Sequence, residues 1–137
     1  KFLKMVTNLL GSSTNKNILI VDDDSNTRDI LGRALKDAGY EPFLAKDGKE
    51  GLDNLDKNPA LIVLDLEMPR MDGFEFLENY VEEYPEEKRA PVLVYSGKDI
   101  TDVQEKLLNE RVVGFVKKDE TSMDELSERI SKLIKAS

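Results

Sequence analysis

The sequence has 137 residues, a usual length for one domain with its own core. Charged residues of both signs make up 35% of it beside 39% hydrophobic residues, which indicates a folded globular protein and excludes a disordered one. The net charge of −8 argues against direct nucleic-acid binding, and no apolar run is long enough to cross a membrane. Cysteine and histidine are absent, which excludes disulfides, thiol chemistry and an imidazole base, so any bound metal must prefer oxygen ligands.

The first segment, residues 1–16, stands apart from the rest of the chain. Lys1 to Leu10 has apolar residues at helical spacing and no initiator methionine, and a flexible Gly-Ser-Ser-Thr break follows it. We expect a linker or leader segment cut from a longer protein, with an expression-vector remnant as the alternative. Residues 17–137 are expected to form a single domain.

From Asn17 onward, a strand followed by a helix is predicted five times. The predicted strands are Ile18–Val21, Tyr40–Ala45, Leu61–Leu64, Pro91–Ser96 and Val112–Val116. Helices are predicted to begin near Ser25, Asp47, Pro69, Thr101 and Ser122. Alternating elements with short connections favour right-handed crossovers and a parallel sheet. The predicted fold class is therefore α/β, a flavodoxin-like doubly wound (βα)5 three-layer sandwich.

The helix faces are predicted from the spacing of their apolar residues. Ser25 is expected to cap the first helix. The apolar face of this helix is expected to include Ile30 and Leu31. The residues expected to face inward are Phe74, Leu77 and Val81 in the third helix and Val103, Leu107 and Leu108 in the fourth.

Polar residues follow the predicted strands at the same end. The third strand runs directly into Asp65, the first into Asp22 and Asp23, the fourth ends at Ser96, and the fifth runs into Lys117 and Lys118. If the strands are parallel, these groups meet at one edge of the sheet, where ligands bind in open α/β folds. Carboxylates this close would repel one another unless a cation joined them, and Mg²⁺ suits a site with only oxygen ligands. An ammonium and a hydroxyl beside them could orient a phosphoryl group while an oxygen of Asp65 attacks phosphorus.

These motifs, in this order and spacing, resemble the receiver domain of two-component response regulators over Asn17 to Ala136. The residues that carry the resemblance are Asp22-Asp23, Asp65 followed by Met68-Pro69 and Asp72-Gly73, Ser96-Gly97, and Lys118. The resemblance implies a five-stranded sheet of order 2-1-3-4-5, with strands one and three side by side. The roles that it implies are phosphoacceptor for Asp65, Mg²⁺ ligands for Asp22, Asp23, Asp65 and the backbone carbonyl of Glu67, phosphoryl partner for Lys118, and switch residues for Ser96 and Phe115.

One departure from the family pattern concerns the residue after the lysine. The family usually has proline there, often in cis, whereas this chain has Asp119. A cis bond without proline is costly, by about 2.5–4 kcal/mol, so we expect a trans Lys118–Asp119 bond. Lys118, and not Lys117, is the expected phosphoryl partner, because Phe115 lies three residues before Lys118, as the family spacing requires.

Two other functions remain open at this point. A Mg²⁺-dependent phosphohydrolase that forms an aspartyl-phosphate would need a second acid two residues after its nucleophile, and Glu67 occupies that position. A pseudo-receiver that acts only as a scaffold would lack at least one key residue, and none is missing. We expect no enzyme activity beyond assistance to the domain's own phosphorylation and dephosphorylation.

The resemblance also sets expectations for partners and context. A histidine kinase or phosphotransfer domain is the expected phosphodonor, and a homodimer through the fourth and fifth helices is a further expectation. No direct contact with nucleic acid or membrane is expected, and the expected location is cytoplasmic. The leader at Lys1 to Leu10 favours a receiver taken from a hybrid sensor histidine kinase.

Overall fold

The structure, a computed structural model, describes residues 15–136. The predicted leader helix at Lys1 to Leu10 lies outside these residues. The described strands are β1 (Asn17–Val21), β2 (Glu41–Ala45), β3 (Leu61–Leu64), β4 (Val92–Ser96) and β5 (Gly114–Lys117). The α-helices are α1 (Ser25–Asp37), α2 (Gly48–Asp53), α3 (Gly73–Glu83), α4 (Asp102–Asn109) and α5 (Met123–Ala136). None of the helices in this part of the chain is long and apolar enough to span a membrane.

The strands form one parallel sheet in the order β2-β1-β3-β4-β5. This confirms both the parallel sheet and the expected strand order. In the register, Val21 at the end of β1 lies beside Leu64 at the end of β3. The residues that follow these two strands therefore leave the sheet side by side.

The core lies on both faces of the sheet because alternate strand residues point in opposite directions. On one face Ile20 and Val63 belong to a buried cluster with Leu31 of α1 and Ile130 of α5. On the other face the buried residues include Leu19, Ile62, Leu64 and Val94 from the strands, with Leu55 after α2, Phe76 and Tyr80 from α3, and Leu108 from α4. The result is the predicted three-layer sandwich.

Several local predictions were wrong. Asp24, not Ser25, caps α1, since its side chain accepts hydrogen bonds from Thr27. Ile30 on the same helix is 55% exposed.

In α3 the fully buried positions include Phe76, Leu77 and Tyr80. Phe74 is half-buried and packs against the core, as predicted, and Val81 is also half-buried. In α4 only Leu108 of the three predicted residues is buried, and Val103 is 71% exposed. The short α4 packs on the sheet through only one of the three apolar residues predicted to face inward. The spacing of apolar residues therefore overestimated the contact of α4 with the core.

Candidate functional site

The acids at the ends of β1 and β3 are aligned by backbone hydrogen bonds that continue the sheet beyond its strands. The amide of Asp65 donates to the carbonyl of Val21 at 2.9 Å. The amide of Asp22 donates to the carbonyl of Ala45, at the end of β2, at 3.0 Å. Both carboxylates are thereby fixed at the edge of the sheet where the sequence places them.

Asp22, Asp23 and Asp65 form a compact acidic cluster. One carboxylate oxygen from each lies within 4.8 Å of the others, and Asp22 and Asp65 are buried while Asp23 is exposed. Burial, and then the negative charge of Asp22, raise the pKa of Asp65 from 3.8 to about 6. The positive charge of Lys118 and a hydrogen bond with Ser96 act in the opposite direction without cancelling the rise. Asp65 therefore carries its negative charge at an energetic cost, beside a second buried carboxylate.

Lys118 supplies positive charge at this cluster, and Lys117 turns elsewhere. The Nζ of Lys118 lies 2.8 Å from Oδ2 of Asp22 and 3.7 Å from Oδ2 of Asp65. Burial disfavours its charged form, but the hydrogen bond and charge of Asp22 and the charge of Asp65 outweigh burial and raise the pKa of Lys118. Lys117 instead pairs with the exposed Asp99. No described peptide bond is cis, so the bond to Asp119 is trans, as expected.

The remaining predicted site residues lie in or directly after β3, β4 and β5. Ser96 is completely buried at the end of β4, and its hydroxyl accepts a hydrogen bond from the amide of Lys98 at 3.2 Å. Phe115 in β5 is half-buried and packs against the core. The side chain of Glu67 is exposed, and its amide donates to Oδ1 of Asp65 at 3.3 Å.

Comparison with known proteins identifies the arrangement. The response regulator receiver domain family matches residues 18–131, most of the chain. The chain belongs to this family. The match favours the receiver over the phosphohydrolase and scaffold alternatives, and the acidic pocket of Asp22, Asp23 and Asp65 is typical of a phosphoacceptor site.

Individual relatives agree with this assignment. The response regulator MprA of Mycobacterium sp. (strain KMS) is 38% identical over 99 residues, which are 72% of this chain and 39% of that protein. The sensor histidine kinase CheAY of Helicobacter pylori is 35% identical over 105 residues, covering 68% of this chain and 13% of the kinase. The chain thus spans well under half the length of these relatives.

One solved structure similar to this receiver domain contains Mg²⁺ and BeF. It is the response regulator TrrA from Thermotoga maritima in complex with Mg²⁺ and BeF, with a TM-score of 0.71 and 31% identity. The match covers 86% of this chain and 98% of that one.

The donor set of this receiver domain fits Mg²⁺. The sequence contains neither histidine nor cysteine, so the cluster offers only oxygen atoms, and two of its three carboxylates are buried beside one another. Mg²⁺ prefers such hard oxygen ligands and usually keeps several waters, for which the exposed position of Asp23 leaves room.

Sequence analysis missed three residues that shape the site. Tyr95 lies under Lys118, whose Nζ is 5.6 Å from the ring centroid. Arg70, in the loop after Asp65, forms an ion pair with the buried Asp47. The Asp47 position was visible as a helix cap, but no sequence signal linked it to an arginine 23 residues later.

Proposed function

We propose that this receiver domain accepts a phosphoryl group on Asp65. The observation that carries the proposal is the contact of one buried carboxylate with two neighbouring acids and with Lys118, all at the same edge of the sheet. The hydrogen bond from its backbone amide to the carbonyl of Val21 fixes the position of Asp65. A carboxylate held in this way can attack an incoming phosphorus atom in line with its leaving group.

In the transfer step, one Oδ atom of Asp65 forms a bond to phosphorus. The bond between phosphorus and the donor nitrogen breaks, and its electron pair returns to the imidazole of the donor histidine. Lys118 lies 3.7 Å from Asp65, close enough to pair with an oxygen of the transferred group. The hydroxyl of Ser96, at the end of the neighbouring strand, can donate to another such oxygen.

Asp22, Asp23, Asp65 and the backbone carbonyl of Glu67 would hold Mg²⁺. When bound, the ion neutralises the negative charge that develops on the phosphoryl oxygens. Asp22 must then share its carboxylate with Lys118, whose Nζ already lies 2.8 Å away.

The proposed response to phosphorylation involves Ser96 and Phe115. Ser96 ends β4, and Phe115 lies beside Val94 of the same strand. Movement of the Ser96 hydroxyl toward a phosphoryl group would alter the packing around the half-buried Phe115.

The proposed donor is the histidine of a kinase or of a phosphotransfer domain. Among the relatives, CheAY is a sensor histidine kinase, which supports an origin within a hybrid kinase. MprA is a response regulator, which supports the alternative of a separate regulator. The proposed location is cytoplasmic, and the proposed dimer surface is formed by α4 and α5.

The test is phosphorylation by a small phosphodonor, such as phosphoramidate, followed by intact mass measurement. We expect one phosphoryl group per chain with Mg²⁺ present and none in excess chelator. Asp65→Asn should abolish the adduct, whereas Asp29→Asn, at an exposed position on α1, should retain it. Wild-type labelling of the Asp65→Asn variant would rule out the assignment.

A further inference from the structure

The loop between Asp65 and α3, residues 66–72, is docked on the start of α2. Within this loop Arg70 has a φ of 67°, a left-handed conformation that residues other than glycine rarely adopt. Arg70 donates to Oδ2 of Asp47, the residue that caps α2. The unusual backbone conformation therefore coincides with a specific contact of the side chain.

Asp47 is the fixed member of this pair. Its side chain is 5% exposed, whereas that of Arg70 is 74% exposed. The other carboxylate oxygen, Oδ1, accepts a hydrogen bond from the amide of Glu50 at 2.8 Å. Asp47 is thus held by burial and by the helix, so the pair restrains Arg70 and the loop that carries it.

A second contact, at the next residue of the loop, has the same effect. A Cβ added to Gly48 would lie 2.7 Å from Cγ and 2.9 Å from the carbonyl oxygen of Met71. Met71 therefore packs directly on the first residue of α2. The turn before α2 is also joined to the acidic cluster from the other side, because the backbone amide of Asp22 donates to the carbonyl of Ala45.

We propose that Asp47 and Arg70 are positioning residues that hold the loop after Asp65 so that the carbonyl of Glu67 can face the acidic cluster. The inference rests on the proposed Mg²⁺ site. Neither residue belongs to the acidic cluster, and both act on the ion through the backbone of the loop. Loss of the pair should therefore weaken Mg²⁺ binding while the three carboxylates remain in place.

The direction of the change in Mg²⁺ affinity distinguishes a positioning role of Arg70 from a simple effect of its charge. Arg70→Ala removes a positive charge, which by electrostatics alone would leave the binding of a cation unchanged or strengthen it. Positioning predicts the opposite result. We expect about a tenfold rise in the Mg²⁺ Kd, the lower end of the effects measured for residues that orient metal ligands.

The experiment is calorimetric titration of Mg²⁺ into wild type and variants in the same buffer. Asp47→Asn, which preserves helix capping, should weaken binding like Arg70→Ala, and the double variant should be no weaker than Arg70→Ala alone. Arg70→Lys should keep most of the wild-type affinity for Mg²⁺, because a lysine can replace the single guanidinium nitrogen that contacts Asp47. Lys132→Ala, which removes an exposed ion pair with Glu128 on α5, is the matched control and should bind normally.

The possible results distinguish this inference from the proposed function. If wild type binds Mg²⁺ and Arg70→Ala binds it equally or more tightly, the positioning role is refuted and the Mg²⁺ site stands. If wild type binds no Mg²⁺, the proposed site and the positioning role are both refuted. Thermal unfolding in excess chelator shows whether each variant is folded, and failure of Arg70→Lys to recover affinity would also contradict the ion pair's role.

Discussion

Replacing Asp65 by asparagine should stabilise the metal-free protein. The carboxylate is buried beside Asp22, and burial followed by that charge raises its pKa from 3.8 to about 6. The folded state therefore binds the proton more tightly than the unfolded state. Its ionised form destabilises the fold, and this penalty appears as pH rises from about 4 to about 6.

The expected magnitude follows from the same change in pKa. Each pKa unit corresponds to about 1.4 kcal/mol, so the full penalty at pH 8 is about 3 kcal/mol. At pH 4, where Asp65 is mostly protonated in the folded state, the penalty falls below about 1 kcal/mol. Asparagine has almost the same shape and no charge, so Asp65→Asn should remove most of the penalty.

The assay is urea unfolding of wild type and Asp65→Asn in excess chelator at pH 4 and pH 8. The difference between the two free energies of unfolding should grow with pH, whereas exposed Asp29→Asn should show no such growth. In a separate series without chelator, Mg²⁺ at 100 times its Kd should stabilise wild type by about 2.7 kcal/mol and Asp65→Asn by much less. A difference that is equal at both pH values would refute the argument that Asp65 is strained.

Two further predictions test the surroundings of Asp65. A Cβ at Gly73 would lie 2.5 Å from the carbonyl oxygen of Asp65, so Gly73→Ala should destabilise the fold by about 1–3 kcal/mol in urea unfolding. Gly97→Ala, with nothing within 4 Å of its Cβ, is the control, and equal stability losses in the two variants would contradict the steric argument. Lys118→Ala should slow phosphorylation by a small donor at least tenfold in a time course followed by mass, as loss of one charged contact to the transition state predicts. Lys117→Ala, which breaks the pair with Asp99, should react at nearly the wild-type rate. A slower reaction of Lys117→Ala than of Lys118→Ala would show that Lys117, and not Lys118, contacts the phosphoryl group.

Much of the fold was predictable because three strands are buried on both faces. Residues 18–21, 61–64 and 92–96 are all buried, and strands of this kind appear in the sequence as continuous apolar runs. The less apolar strands at the edges were harder to delimit. Val113, predicted to lie within the fifth strand, precedes it and is 49% exposed.

The meeting of the three acids and Lys118 at one edge of the sheet was also predictable, but the contacts that support the site were not. Asp65 directly follows an apolar strand, so the strand pattern alone places it at the edge of the sheet. The pairing of Asp47 with Arg70 instead depends on the left-handed backbone of Arg70 and on how the loop packs against α2. Neither feature has a local sequence pattern, because both arise from contacts between distant parts of the chain.

The charges at the site support the proposed binding of a divalent ion. With all three acids ionised, Asp22, Asp23 and Asp65 carry three negative charges, and Lys118 supplies one positive charge among them. The site then has a net charge of two negative units, and an approaching phosphoryl group would add more negative charge. A monovalent cation would leave the site negative, whereas one Mg²⁺ balances it. The energetic cost of ionised Asp65 in the metal-free fold is thus the counterpart of the Mg²⁺ affinity that the proposed phosphorylation would require.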